Sequence, residues 1–273
     1  MAELTLDESL DLGLRQLSSV LLKKYVDEHW CLDEDEETKL VASDQAKLAI
    51  KTILPKGLYS NNSKIRNTVA YTISSIAGFD WPNDWVELFD IIVKCLAGNE
   101  DSVHGAMQVL VEFTYELQER VKDVGPIILS EVYRIFDSET SFTVKTRSVS
   151  IEILNALMKC VNIHIDTKDQ AAFLNPVIPA FMQKMVHGLT VPNGPTSSFK
   201  LKAEILKVFT FMTSEMPKFI QPLMPSILPP IWSLLTQMAE VYVKSVVNEC
   251  DIDPFDGDEG EFCPSCSKFS LQL

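Results

Sequence analysis

The paired cysteines of Cys263-Pro264-Ser265-Cys266 have a spacing with which thiolates bind zinc or exchange disulfides. A structural zinc site needs four ligands, usually from two such pairs, and Cys250 is the only other thiol nearby. No histidine follows His187. A redox site requires the strand and helix of a thioredoxin-like fold, which the flanking acidic sequence does not predict. We therefore interpret these cysteines as an incidental pair and predict no metal site.

Three aspartates just before this pair resemble the start of a calcium-binding loop. Asp251, Asp253 and Asp256 are spaced as oxygen ligands often are. An EF-hand loop also needs a ligand two residues after the second aspartate and a glutamate at its twelfth position. Phe255 and Phe262 occupy these two places, so the sequence predicts no calcium site.

No group of residues in the chain has the pattern of an active site. The sequence contains no glycine-rich phosphate loop, no nucleophile elbow and no paired metal-ligand motif. Basic residues do not cluster enough to predict a nucleic-acid interface. We predict that the protein is not an enzyme and needs no cofactor. The four histidines are far apart in the sequence and are expected to be packed or surface residues: His29, His104, His164 and His187.

A helical signature recurs five times along the chain. One basic or imidazole side chain precedes an apolar stripe, and the successive gaps are 51, 38, 43 and 55 residues. Helical pairs of roughly 40–47 residues are typical of HEAT and armadillo repeats. The sequence therefore predicts an all-α fold, a right-handed superhelical solenoid of stacked antiparallel helix pairs, and such solenoids bind other macromolecules. The recurring residues, each on the second helix of a pair, are Arg15, Arg66, His104, Arg147 and Lys202.

The apolar spacing also predicts which helix faces are buried. Leu10, Leu14, Leu17, Leu21 and Tyr25 are separated by three or four residues, so they should form the buried face of the first helix. With the first helix starting here, the chain should begin on the second helix of a pair.

Several other residues predict where helices begin and end. Ser63 is expected to cap the helix that follows it, and Pro126 is expected to begin another. Residues 173–189 are expected to form an outer helix whose first turns are disturbed by Pro176 and Pro179, and residues 230–247 a long last helix.

The composition predicts a soluble, acidic protein of a reducing compartment. The net charge is −14 and the pI about 4.7, which disfavours nucleic acid and anionic membranes and favours basic proteins, although the charge could serve solubility alone. The first ten residues lack the basic region of a signal peptide. Residues 219–239 carry no charge and are long enough to span a bilayer, but their four prolines predict a buried solenoid helix instead.

Two acidic runs lie outside the helical pattern. The first follows the first helix, and the second begins a stretch without helical periodicity, which predicts a loop or disorder. We predict a solenoid over residues 1–247 and an acidic tail over 248–273. Blocks of like charge are usually solvated loops, and the alternative is docking of a basic partner. The candidate docking residues are Asp33, Glu34, Asp35, Glu36, Glu37, Asp251, Asp253, Asp256, Asp258 and Glu259.

One motif resembles a known family. The sequence Phe79-Asp80-Trp81-Pro82-Asn83-Asp84-Trp85, after the helical stretch 69–77, resembles the second and third HEAT repeats of the importin-beta (karyopherin) superfamily of nuclear transport receptors. The resemblance covers nearly all of residues 3–260, with an importin-beta N-terminal region at about 1–97. It is also carried by Arg15-Gln16-Leu17, Lys24-Tyr25, His29-Trp30, His104-Gly105-Ala106-Met107, Glu112-Phe113-Thr114, Thr146-Arg147-Ser148 and residues 192–197.

This resemblance implies a receptor that carries cargo into the nucleus and shuttles between cytoplasm and nucleus. In the family, the GTP-bound form of the GTPase Ran binds the inner helices of the N-terminal repeats and releases cargo. Phe-Gly nucleoporins contact the outer helices. The resemblance further implies basic cargo, such as histones and ribosomal proteins, and also actin.

Candidate Ran contacts are the polar positions of the predicted inner helices. The alternative for each of them is a solvated helix face. They are Lys23, Lys24, Lys64, Arg66, Asn67, His104, Gln108 and Glu112.

The chain also departs from the family pattern. The family has an additional first helix and is several times longer, so we expect a fragment or an alternative gene product. The remaining alternative is a HEAT-repeat scaffold or adaptor of a non-transport complex, and dependence on Ran separates the two functions.

Overall fold

A computed structural model describes residues 1–31, 41–114, 117 and 120–249. Every regular element in these residues is a helix, which confirms the predicted all-α fold. Two 3-10 helices, Leu54–Tyr59 and Gln221–Leu223, join α-helices. The α-helices are α1 Ala2–Leu6, α2 Leu12–His29, α3 Asp44–Ile53, α4 Ser63–Asp80, α5 Leu88–Leu96, α6 Glu100–Phe113, α7 Val121–Asp137, α8 Val144–His164, α9 Thr167–Leu174, α10 Ile178–Thr190, α11 Phe199–Glu215, α12 Pro217–Ile220 and α13 Met224–Glu249.

Five helices form one continuous layer. Helices α2, α4, α6, α8 and α11 pack on one another in chain order, and they are the five that carry the recurring basic residue. Helices α1, α5, α7 and α10 each pack against the next of these, as the first helix of a pair does. The predicted stack of inner helices is thus confirmed.

Each inner helix is preceded by an N-cap residue whose side chain accepts a hydrogen bond from a backbone N–H of the first turn. The caps are Asp11, Asn62, Asn99, Thr143 and Ser198. The predicted cap Ser63 is wrong by one residue. Asn62 accepts from the amides of Lys64 and Ile65, because its carbonyl reaches the donors that the first turn leaves unpaired.

The predicted buried face of α2 is also wrong. Leu14, Leu17 and Leu21 are 44%, 56% and 46% exposed. Helix α2 packs on α1 and α4, and its buried side chains include the small Ser18 and Ser19. A three-and-four spacing marks one face of a helix, but the positions of the neighbours decide which face is covered.

Several predicted helix boundaries differ from the structure. Pro126 lies inside α7, which begins five residues earlier at Val121. Residues 173–189 are divided between α9 and α10, because Pro176 has no N–H with which to continue the first helix. The short α1 precedes α2 and packs on it.

The chain forms two compact units, Met1–Ile227 and one that begins at Leu228. Within the second unit, the described residues belong to α13 alone, and Trp232 is 74% exposed. Leu234 is buried, but Leu228 and Leu235 are 53% and 55% exposed, so the burial expected for this helix is only partly present. No helix of the described residues is long and apolar enough to cross a membrane.

Candidate functional site

The recurring basic residues of the inner helices are buried. Their exposed fractions range from 2% for Arg147 to 8% for Arg15. The Arg15 Nε–H donates to the carbonyl of Thr5, and the Arg147 Nε–H donates to the carbonyl of Phe136, at 3.2 and 2.8 Å. Arg66 donates through its Nη1 to the carbonyl of Ser60. In each case the acceptor lies in or just after the preceding element, so these arginines hold each inner helix to that element.

Arg147 joins more elements than the other recurring residues. Its Nη1 donates to the carbonyl of Thr196 at 2.8 Å, and its Nη2 lies 3.5 Å from a carboxylate oxygen of Glu139. Lys184 of α10 contacts the same carboxylate at 3.0 Å. The hydrogen bond from Lys184 lowers the pKa of Glu139. These contacts tie α7, α8, α10 and the loop before α11 together.

The motif at residues 79–85 forms a second polar cluster, centred on Asp80. The Trp30 indole N–H donates to Asp80 Oδ1 at 3.0 Å, and Lys51 Nζ lies 2.8 Å from Asp80 Oδ2. Lys51 also donates to the carbonyl of Asp84 at 2.8 Å. The backbone carbonyl of Asp80 accepts from the amides of Asp84 and Trp85. The motif that carries the family resemblance therefore joins α2, α3 and the loop before α5.

The predicted Ran contacts divide into exposed and buried residues. Lys23 and Gln108 are half-buried, and the Lys23 ammonium lies 3.5 Å from the centre of the Tyr71 ring. Arg66 and His104 are 6% and 7% exposed, so little of either side chain is available to a partner. Lys24, Lys64, Asn67 and Glu112 are exposed on three inner helices.

One inner-helix carboxylate was missed by sequence reasoning. Glu152 of α8 is half-buried, and burial raises its pKa, with Glu204 and Glu112 adding repulsion. Because the three glutamates come from α6, α8 and α11, no spacing in the sequence could have predicted their proximity. Lys200 and Lys207 of α11 oppose this rise in the pKa of Glu152, and Lys207 pairs with Glu204 at 3.0 Å.

An apolar cleft lies on the outer side of the stack. It has a volume of about 410 Å³ and lies between α10 and the segment that follows α11. Met182 and Val186 of α10 contribute to one wall, and Phe219 and Leu223 contribute to the other. Asn175, Gln183 and Ser226 supply polar groups. The sequence did not predict this cleft, because its walls come from two separate helical segments.

The remaining predicted site residues lie outside the described part of the chain. These are both acidic runs, Asp33–Glu37 and Asp251–Glu259, and the cysteine pair at 263 and 266. Within the described residues, no group of histidine, cysteine and acidic side chains could hold a metal ion.

The comparison with curated proteins found importins among the relatives of this chain. The chain is 48% identical to Importin-9 of Drosophila melanogaster over 265 residues, which is 96% of this chain. This chain is an Importin-9 homologue. The homologue is also 24% identical to Importin subunit beta-5 of Schizosaccharomyces pombe over 88% of its length. It spans about a quarter of the length of these relatives, 26% of each. No family model matches the sequence.

Solved structures confirm the fold of the importin homologue. The yeast importin-beta Kap95p, in a study of its binding to RanGDP, matches 94% of the chain with a TM-score of 0.63 and 18% identity. Kap95 in complex with Nup1 matches 94% of the chain with a TM-score of 0.60 and 17% identity. This chain covers 31% and 32% of those two proteins. The described helices therefore have the HEAT-repeat fold of karyopherins.

Proposed function

We propose that this chain belongs to a nuclear import receptor that shuttles between cytoplasm and nucleus and is not an enzyme. The observation that carries the proposal is the 48% identity to Importin-9 over 96% of the chain. The absence of a catalytic motif from the sequence agrees with a role in binding. A receptor of this kind needs no reaction centre, because GTP is hydrolysed on Ran.

Ran in its GTP form is the proposed ligand of the inner helices. Kap95p, whose fold this chain shares, was solved in a study of its binding to RanGDP, in which the switch loops of Ran adopt the GTP-bound conformation. Lys24, Lys64, Asn67 and Glu112 are the exposed candidates, and Lys23 and Gln108 lie half-buried near them on the same helices. Arg66 and His104 are placed beneath this surface, where they support it. Ran and cargo then compete, since binding of one lowers the affinity for the other by the same factor.

Basic proteins, including histones and ribosomal proteins, are the proposed cargo, and actin is a further candidate. The net charge of −14 supports this class of ligand, because an acidic surface speeds encounter with basic proteins. The runs Asp33–Glu37 and Asp251–Glu259 stay predictions.

The experiment that tests the function is binding of the purified chain to Ran. Ran loaded with a non-hydrolysable GTP analogue is compared with Ran loaded with GDP, by biolayer interferometry. Preference for the GTP form supports the proposal. If a chain shown to be folded by circular dichroism binds neither form, the scaffold alternative gains support instead.

Reversing the charge of Lys24 and Lys64 together should weaken Ran binding. We expect the association rate of K24E/K64E to fall by about tenfold at low salt and by less at high salt, because exposed charges steer encounter and are screened. The matched control is K168E/K218E, which reverses two exposed lysines of α9 and α12. Equal rates for both variants and the unmodified chain would exclude this surface.

The outer cleft is the proposed contact for Phe-Gly nucleoporins. Its volume of about 410 Å³ falls within the range of small-ligand pockets, roughly 300–1,000 Å³. Its apolar walls suit a phenylalanine ring, and the side chains of Asn175 and Gln183 can bond a peptide backbone. Kap95, with the same fold, has been solved in complex with Nup1.

A charge placed in the cleft should abolish retention on Phe-Gly beads. Val186→Glu puts a carboxylate on the half-buried wall, where it would be desolvated by a bound ring, and we expect at least about a tenfold loss of retention. His187→Glu adds a charge at the next, exposed residue of α10 and serves as the control. If V186E were retained as well as the unmodified chain, the Phe-Gly contact would lie elsewhere.

A further inference from the structure

Helix α6 differs from the other inner helices in its buried basic residue. The other four carry arginine or lysine, whose charge is permanent near neutral pH, whereas α6 carries His104. Histidine is the side chain whose ordinary pKa lies close to physiological pH. The third inner helix is therefore the one whose buried group can gain or lose its charge in this range.

The environment of His104 favours the neutral ring. The residue is 7% exposed, and neither ring nitrogen has a hydrogen-bond partner. At the next residue, a Cβ on Gly105 would come within 2.7 Å of the Leu58 carbonyl oxygen, so the α6 backbone is pressed against the 3-10 helix there. A charged imidazole buried without a partner is costly, because no group replaces the water it loses.

Four charged groups from three helices face His104. They are Arg66 of α4, Lys145 of α8, and Glu100 and Asp101 of the first turn of α6. Asp101 already pairs with Arg66 at 2.9 Å. Glu100 accepts weak hydrogen bonds from the first turn of α8 at 3.4 and 3.5 Å. The nearby acidic groups thus have partners of their own.

We propose that His104 makes the junction of α4, α6 and α8 an acid-sensitive joint, at which protonation of the ring favours an opened state in which it is hydrated. This inference is independent of Ran binding. In the closed state, burial lowers the pKa of His104 below its ordinary value of 6.5, and Arg66 and Lys145 lower it further. Asp101 and Glu100 oppose this shift.

The sign of the pH dependence follows from the direction of this shift. The opened state binds the proton more tightly than the closed state, so the closed junction has its full stability above pH 6.5. That stability falls as the pH drops from 6.5 through the lower pKa of the closed state. Between pH 7.5 and 5.5 the opening equilibrium should rise by up to about tenfold.

Hydrogen exchange of the whole chain at pH 7.5 and 5.5, corrected for intrinsic rates, tests the proposal. At pH 5.5 we expect the corrected exchange rates of the amides in α6 and in the facing first turns of α4 and α8 to rise by up to about tenfold relative to those of α11. His104→Met should remove this gain, and the control His164→Gln, a half-buried histidine at the end of α8, should keep it. An equal acid response in H104M and the unmodified chain, or an equal gain in α11, would overturn the proposal.

A measurement on the unmodified chain covers the case in which H104M does not fold. The ring of His104 is followed by NMR as the pH is lowered. Titration below pH 6.5 supports the buried neutral ring, and titration at or above 6.5 overturns it.

Discussion

Replacing Arg147 with alanine is expected to lower the free energy of unfolding by about 3–5 kcal/mol. The Arg147 side chain is 3% exposed, and its removal leaves the carbonyls of Phe136 and Thr196 without their donor. Each buried acceptor left unsatisfied costs about 1–3 kcal/mol. Glu139 also loses one of its two cationic partners, although Lys184 remains.

Urea denaturation followed by circular dichroism measures this effect. Arg147→Lys retains the positive charge, but a lysine lacks the planar guanidinium that donates to both carbonyls. We therefore expect the free energy of unfolding to fall by less than in the alanine variant. Lys145→Ala removes an exposed lysine from the same turn of α8 and should change the stability by no more than about 0.5 kcal/mol. If R147A unfolded at the same urea concentration as K145A, Arg147 would not hold these elements together.

Replacing Asp80 with alanine should have an effect of the same size, about 3–5 kcal/mol. Asp80 and Lys51 are 9% and 12% exposed, so the variant leaves a largely buried ammonium without its carboxylate. The Trp30 indole, which is also buried, loses its acceptor. The hydrogen bond from Lys51 to the Asp84 carbonyl remains in the variant, so we expect the loss of stability to lie near the lower end of this range.

Two variants separate the contributions at Asp80. Asp80→Asn keeps an oxygen for the indole and removes only the charge, so we expect a loss of about 1–2 kcal/mol. Asp84→Ala leaves its backbone carbonyl in place and removes an exposed carboxylate, so its effect should stay within about 0.5 kcal/mol. Urea denaturation followed by tryptophan fluorescence compares them. A D80A variant as stable as D84A would show that the ion pair contributes nothing to the fold.

The Asp80 cluster gives the family motif a structural role. Residues 79–85 stood out in the sequence by their aromatic and acidic content. In the structure Trp85 is 3% exposed, and the Trp81 ring packs edge-on against Phe113 at 4.9 Å. The motif is distinctive because it holds together elements that are distant in the sequence.

Local regularities were predictable from the sequence. The three-and-four spacing of α4, α6, α8 and α11, together with the recurring basic residue, correctly predicted the inner layer. The spacing of α2 failed to predict its buried face, since three of its leucines are exposed. Helix formation depends on neighbours three and four residues away, whereas burial depends on which other helix lies alongside.

The sequence by itself determined that this chain is a stack of helical pairs related to importins. Periodicity and family motifs are properties of the residue order, so they can be recognised without a structure. Only the tertiary structure decided the roles of polar side chains on the inner helices. Lys64 and Arg66 are two residues apart, yet one is exposed and the other buried. Because a turn of helix places such neighbours on different faces, only the packing of adjacent repeats determines which one is exposed and which one supports the fold.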